Sequence, residues 1–158
     1  MKPLFFIDYD NTIFSHRTWS IPEDGLQTLE RLKSDGFRVI LASGRAFRSN
    51  DLPEEFQGRF TPDGLVSSNG AIIEAEGRLI HEKYFDPGLQ RRLLDYVTEK
   101  GYCLISNFDG VWCTSNLERS RALDSNKNRK IKPQEGDAFR ALYTSRRPSF
   151  FLADTREA

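Results

Sequence analysis

Three short apolar runs, each stopping abruptly at a small polar cluster, constrain this fold more than any other feature of the chain. Leu4-Phe5-Phe6-Ile7 ends at Asp8, Phe37 to Ala42 ends at Ser43, and Leu65-Val66 ends at Ser67. An uninterrupted apolar run of this length suits a strand covered on both faces, the setting of a parallel sheet. Between the first two runs, Leu26, Leu29 and Leu32 recur at helical spacing. Ser20 and Glu23 have the spacing of a capping box, Pro22 is tolerated at an early helical position, and Gly36 is placed to end the helix. Residues 13–21 are expected to form a small hairpin or flap, and Phe47 to Phe60 a polar helix or turn. Strands alternating with helices in this order predict an α/β fold, a doubly wound parallel sheet with right-handed crossovers.

After residue 70 the pattern changes. Ala71 to Glu74 and Arg78 to Tyr84 flank Glu76-Gly77 and read as a hairpin. Asp86 can cap a helix with Pro87 at its first position and Leu89, Leu93, Leu94 and Val97 on one face, closed by Gly101. Tyr102 to Ser106 and Val111 to Ser115 predict a second hairpin turning at Asp109-Gly110. Glu118 to Asp137 is strongly polar and reads as a solvated helix or loop, Ser149 to Leu152 as a strand, and Asp154 to Ala158 as the opening of a helix. A domain boundary is expected near Tyr84 to Pro87, giving domains over 1–84 and 85–158.

Composition narrows the function classes. The chain carries 23 basic and 23 acidic residues, whereas nucleic-acid binding by bulk electrostatics wants a basic excess. No apolar run approaches the roughly 18 residues of a membrane span. The first run is also too short for a signal peptide's apolar region, which leads to the expectation of a cytoplasmic protein without nucleic-acid or membrane partners. Cys103 and Cys113 have neither metal-ligand nor redox spacing and are expected to be reduced thiols in a packed strand pair.

The polar strand ends carry the candidate chemistry. Asp8, Asp10 and Thr12 lie two apart, so in an extended segment they point one way while Tyr9 faces elsewhere. They stand at the carboxyl end of a parallel strand, where open α/β sheets hold ligands. Two converging carboxylates repel each other and need a cation, naturally Mg²⁺ with its hard oxygen ligands. The pair also allows a covalent nucleophile and a general acid–base to divide the work. Taken alone, this stretch leaves open that Asp8 and Asp10 merely cap a loop. Ser43-Gly44-Arg45 ends the second run, where a hydroxyl and neighbouring backbone N–H groups can hold phosphate oxygens and Gly44 allows close approach. Arg45 either assists phosphate binding or pairs with an acid. Ser68-Asn69-Gly70 ends the third run on the same predicted edge. Three polar motifs at three successive strand ends exceed what turn chemistry alone requires.

Phe5-Phe6-Ile7-Asp8-Tyr9-Asp10-Asn11-Thr12, Leu41-Ala42-Ser43-Gly44-Arg45 and Ser68-Asn69-Gly70-Ala71 resemble the haloacid dehalogenase (HAD) superfamily. More narrowly they resemble its Cof-like hydrolases, which insert a large α/β cap (type IIB) after the third core strand. The motifs lie within residues 4–71, and the layout of the whole chain is similar. The resemblance implies a Rossmann-like parallel-sheet core followed by a cap that begins near Phe85. It implies a Mg²⁺-dependent phosphatase of small phosphorylated metabolites, such as sugar phosphates, nucleotides or cofactor phosphates, working through an aspartyl-phosphate. Asp8 is then the nucleophile and a metal ligand. Asp10 is the acid–base, with its backbone carbonyl on the metal. Thr12 supports the first loop, Ser43 hydrogen-bonds the transferring phosphoryl group, and Gly44, Arg45 and Asn69 complete the phosphate- and substrate-binding set. Asn11 stands where glycine is commoner, and asparagine also accepts unusual backbone angles.

The family supplies two further pieces after its cap: a lysine that stabilises the phosphoryl group, and a Gly-Asp motif with a second acid that completes the metal site. Gly136-Asp137 does not match, because no apolar strand precedes it and Ala-Phe-Arg-Ala follows. Lys127, Lys130 and Lys132 fall inside the expected cap. Core and cap are therefore expected to be incomplete, with the chain the N-terminal portion of a longer enzyme or, alternatively, a natural truncation. Losing one preorganised stabilising group typically costs about 10²–10³ in rate, so the chain alone is expected to be a very poor phosphatase. Two other functions use the same residues: a phosphomutase or phosphotransferase, in which another group accepts the phosphate, and a truncated phosphate-binding module without turnover. Substrate choice falls to the cap, whose candidate contacts are Asn107, Asp109, Trp112 and the basic cluster Lys127, Arg129, Lys130 and Lys132. No sequence feature sets an oligomeric state.

Overall fold

The three apolar runs form β1 (Leu4–Asp8), β2 (Arg38–Ala42) and β3 (Gly64–Ser67), side by side and parallel. The expected hairpin forms β4 (Ile72–Ala75) and β5 (Arg78–Glu82), which continue the sheet antiparallel in the order β1-β2-β3-β4-β5. Its turn places Glu76 and Gly77 both at positive φ, the requirement of a tight hairpin matched to strand twist. This is a computed structural model that describes residues 2–108, 111–123, 136–145, 148 and 150–154. It divides into two units, Met1–Lys83 and Tyr84–Ala158.

In the first unit, α1 (Glu23–Ser34) connects β1 to β2. It ends as Gly36 predicted: Gly36 takes φ +91°, its N–H donates to Lys33 O, and Phe37 N–H donates to Leu32 O. Its start differs from the capping-box expectation. Pro22 is the N-cap, and no side chain caps the helix. Ser20 is instead paired with Ser15 across a small turn, and its hydroxyl donates to Thr18 Oγ1. The second crossover takes the turn of the two forms expected there, with a short 3₁₀ turn at Glu54–Phe56. Pro53 and Pro62 cannot supply helical N–H donors, and Gly58 takes φ +69°. Ser49 N–H and Oγ donate to Glu74 and Arg48 pairs with it, so side chains hold the connection in place of helix hydrogen bonds.

The core of this unit combines Leu26 and Leu29 of α1, Val39 and Leu41 of β2 and Leu65 of β3 with an aromatic group of Tyr9, Phe14, Phe56 and Phe60. Gly64 lets β3 and β4 approach, since a Cβ there would lie 2.8 Å from Glu74 O. The expectation that β1 is covered on both faces is not met. Among the described residues it lies at the edge of the sheet, and Leu4 and Phe6 on one face are 56% and 58% exposed. Phe5 and Ile7 on the other face border a cleft of about 480 Å³ against α1.

In the second unit, α2 (Pro87–Glu99) begins at Asp86, whose carboxylate accepts Leu89 N–H. Leu89 is exposed rather than part of the apolar face, and Gln90 is buried there, donating to Tyr143 O at 2.9 Å. A three-stranded antiparallel sheet follows in the order β7-β6-β8: β6 (Cys103–Phe108), β7 (Val111–Thr114) and β8 (Phe150–Asp154). Helices α3 (Leu117–Leu123) and α4 (Gly136–Ser145) complete it. Leu94, Val97, Leu104, Phe108, Phe139 and Tyr143 form its core. Cys103 and Cys113 are buried free thiols in β6 and β7. Gly136-Asp137 opens α4, and the residues before it, 124–135, lie outside the described residues. Asp109, Lys127, Arg129, Lys130, Lys132 and residues 155–158 lie outside the described residues.

Candidate active site

Strand register sets the geometry. Asp8 pairs with Ala42, and Ala42 with Val66, so the three polar clusters leave the sheet at one level, in adjacent strands about 4.8 Å apart. Alternation along the first cluster leaves Asp8 exposed, Tyr9 fully buried and Asp10 half-buried. Tyr9 O then receives the N–H groups of Thr12, Ile13 and Phe14 at 3.4, 3.2 and 2.9 Å, curling the chain into a compact loop. The curl needs a left-handed residue, and Asn11 supplies it at φ +58°. Within it, Thr12 Oγ1 donates to Asp8 Oδ2 at 2.9 Å.

The second cluster meets the first through Arg45. Its Nε and Nη2 donate to the two carboxylate oxygens of Asp10 at 2.9 and 2.5 Å. This is the pairing with an acid that the sequence offered as one of its two roles. The guanidinium lies 4.9 Å from the centroid of the Tyr9 ring and 5.3 Å from that of Phe14, so the buried aromatic group positions the fork. Ser43, 7% exposed, accepts Arg45 N–H on Oγ at 3.1 Å. Gly44 gives its neighbour room, since a Cβ there would lie 3.0 Å from Asn69 Oδ1.

The third cluster is pinned to the second. Ser68 N–H donates to Arg45 O at 2.9 Å and Asn69 N–H to Ser43 O at 3.3 Å. Ser68, Asn69 and Gly70 take φ of +51°, +56° and +86°, a left-handed run that returns the chain sharply into β4. Such strain persists only where surroundings hold it, commonly at functional sites. The structure thus connects Asp8, Asp10, Thr12, Ser43, Gly44, Arg45 and Asn69 in one continuous cluster.

Sequence reasoning missed His16. Its Nε2 lies 2.7 Å from Asp10 Oδ1, on the side of the carboxylate that Arg45 Nη2 also meets. The signal was thin: a histidine six residues after Asp10, inside a segment expected to fold back as a flap. Burial alone would push the Asp10 carboxyl up, but the Arg45 hydrogen bonds and charge, reinforced by His16, outweigh it and hold Asp10 below the usual carboxylate range.

A family model described as haloacid dehalogenase-like hydrolase matches residues 5–154. YkrA of Bacillus subtilis (strain 168) is 32% identical over 97 residues, which are 61% of this chain and 36% of that protein. The 5-amino-6-(5-phospho-D-ribitylamino)uracil phosphatase YitU of the same organism is 36% identical over 73 residues, 46% of this chain and 26% of YitU. Among solved structures, the HAD subclass IIB sugar phosphatase BT4131 superposes with a TM-score of 0.72 at 22% identity, over 93% of this chain and 56% of that one, a likeness of fold. The matches thus span well under two thirds of these proteins' own length.

Proposed function

The chain belongs to the haloacid dehalogenase-like hydrolase family, and we propose that its first unit carries the nucleophile half of a Mg²⁺-dependent phosphatase site for small phosphorylated metabolites. The observation that carries this reading is the common level of three strand ends. It sets an exposed carboxylate, Asp8, beside a clamped one, Asp10, with Ser43 and Asn69 on the adjoining loops. The second unit takes the role of an inserted cap, with domains 1–84 and 85–158 as read from sequence. YitU is named for a phosphorylated ribitylamino-uracil, which supports a small metabolite as the substrate class here. No helix among the described residues is long and apolar enough to cross a membrane, and the two buried free thiols are in keeping with a reducing compartment such as the cytoplasm.

The residues fit the implied metal in part. Mg²⁺ keeps several waters and is commonly bound through one or two carboxylates together with substrate phosphate. The exposed Asp8 carboxylate and the Asp10 main-chain carbonyl are hard oxygen donors of that kind. Among the described residues no group of three His, Cys, Asp or Glu side chains is placed to hold a metal, so the two donors make part of a shell. Bound there, the ion would neutralise charge on the phosphoryl oxygens.

The chain's own groups divide the remaining work. Asp8, oriented by Thr12, attacks phosphorus, and the bond to the leaving oxygen breaks. A proton reaches that oxygen from Asp10, giving a free alcohol and an aspartyl-phosphate. Water then attacks phosphorus, Asp10 takes its proton, and the bond to Asp8 breaks to release phosphate. The Arg45 fork and His16 favour the carboxylate form of Asp10, so it must first take up a proton from solvent; delivering that proton to the leaving oxygen restores the carboxylate, which then accepts the water's proton. Ser43 and neighbouring N–H groups receive the transferring oxygens. Beryllofluoride, which mimics an acyl phosphate, tests the reading. With Mg²⁺, wild type is expected to show a bound-fluoride NMR signal that Asp8→Asn lacks. Persistence of the signal in Asp8→Asn would refute Asp8 as nucleophile.

A further inference from the structure

We propose that Trp19, backed by His16, is a shelf beside Asp10 that takes the flat heteroaromatic part of a phosphomonoester, which makes Trp19 a specificity-determining residue. The proposal rests on the phosphoryl-transfer reading above and names its substrate class. Trp19 is 46% exposed, and the aromatic core of the first unit closes without it. It takes φ +53°, a left-handed conformation that bulky residues avoid and that persists only when the surroundings hold it. A tight turn does so: Ser15 N–H donates to Ser20 O at 2.9 Å, and Ser15 Oγ accepts the N–H groups of Arg17 and Thr18 at 3.3 Å each.

The turn presents Trp19 at the end of an aromatic ladder. Buried Phe14 meets His16 edge-to-face with centroids 5.4 Å apart, and His16 meets Trp19 the same way at 5.3 Å. Phe14 also contacts Trp19 directly at 6.1 Å. His16 touches the Asp10 carboxylate at 2.7 Å, so the His16 ring links Trp19 to the group assigned to protonate the leaving oxygen. A leaving group that extends from Asp10 on its His16 side meets these rings. A partly exposed indole offers a π-face, which rewards a planar ring and gives little to a polyol that needs hydrogen-bond partners.

Titration calorimetry of the full 158-residue chain with Mg²⁺ tests this, using AMP, UMP, ribose 5-phosphate and uridine. In wild type the better nucleotide is expected to bind about 5- to 150-fold more tightly than ribose 5-phosphate, the worth of one base–aromatic stack. In Trp19→Ala that ratio is expected to fall to near one, with Trp19→Phe restoring most of it and Trp19→Leu not. Equal affinity for nucleotide and ribose 5-phosphate in wild type overturns the shelf, as does an unchanged ratio in Trp19→Ala, and neither touches the assignment of Asp8. Trp19-dependent binding of uridine with no gain from the phosphate would instead support the shelf and count against the phosphoryl-transfer reading.

Discussion

Tyr9 links the packing of the first unit to its chemistry, and truncating it separates the two contributions. Its ring has no exposed surface, stacks on Phe14 at 5.0 Å, and meets Phe47 and Phe56 edge-to-face at 5.1 and 6.1 Å. Its hydroxyl donates to Glu55 Oε2 at 3.1 Å, and burial, together with the Glu55 charge, pushes the phenol well above its ordinary value, so it stays a donor. Tyr9→Phe removes only that hydrogen bond, a net loss of about 0.5–1.5 kcal/mol, because half-buried Glu55 can turn to water. Tyr9→Ala removes the ring itself, and buried aromatic-to-alanine changes cost about 3–5 kcal/mol. A typical domain has only about 5–15 kcal/mol in all. For a unit of this size each 1 kcal/mol moves the midpoint by about 4–8 °C, so Tyr9→Ala is expected to melt about 12 °C or more below wild type. Trp19 fluorescence in a Trp112→Phe background reports the first unit alone. A Tyr9→Ala midpoint within a few degrees of Tyr9→Phe would refute the packing on which the Arg45–Asp10 fork rests.

Gly64→Ala puts a methyl 2.8 Å from Glu74 O and 3.0 Å from Ile40 Cδ1 between paired strands, and is expected to cost about 1–3 kcal/mol in urea unfolding. Glu74 gives a pH dependence. Burial raises its pKa, but the Ser49 hydrogen bonds and Arg48 outweigh it, so the folded value lies below the unfolded one. Its stabilisation is therefore present above the unfolded value of about 4.3 and is lost as pH falls through the folded value. Glu74→Gln is expected to be less stable than wild type at neutral pH and to lose less between about pH 5 and pH 3. Parallel pH curves would contradict this.

Much of this was legible in the sequence. An apolar run that stops at a polar cluster specifies strand and strand end together, so β1, β2, β3 and their loops could be placed from residues 4–70. Gly36, Asp86 and Gly101 marked helix ends because caps obey local stereochemistry. What failed depends on contacts distant in the chain. Ser20 had capping-box spacing but found Ser15 and Thr18 first. Polarity left Phe47 to Phe60 open between helix and turn, and the choice falls to Glu74, which holds the segment through Ser49 and Arg48. Gln90 buries where Leu89 was expected because Tyr143 O is there to accept its amide. Within the site, residue types were readable at each strand end. Arg45 pairing with Asp10, and His16 reaching the same carboxylate, needed the loops folded against one another.

If Asp8 is where phosphorus becomes covalently attached, the adduct can be trapped. The chain is incubated with acetyl phosphate and Mg²⁺, quenched in acid and mapped by peptide mass. The added mass of one phosphoryl group is expected on the peptide containing Asp8, absent in Asp8→Asn and present in Asp10→Asn, which keeps the nucleophile. A phosphoryl group found elsewhere, or retained in Asp8→Asn, would contradict it.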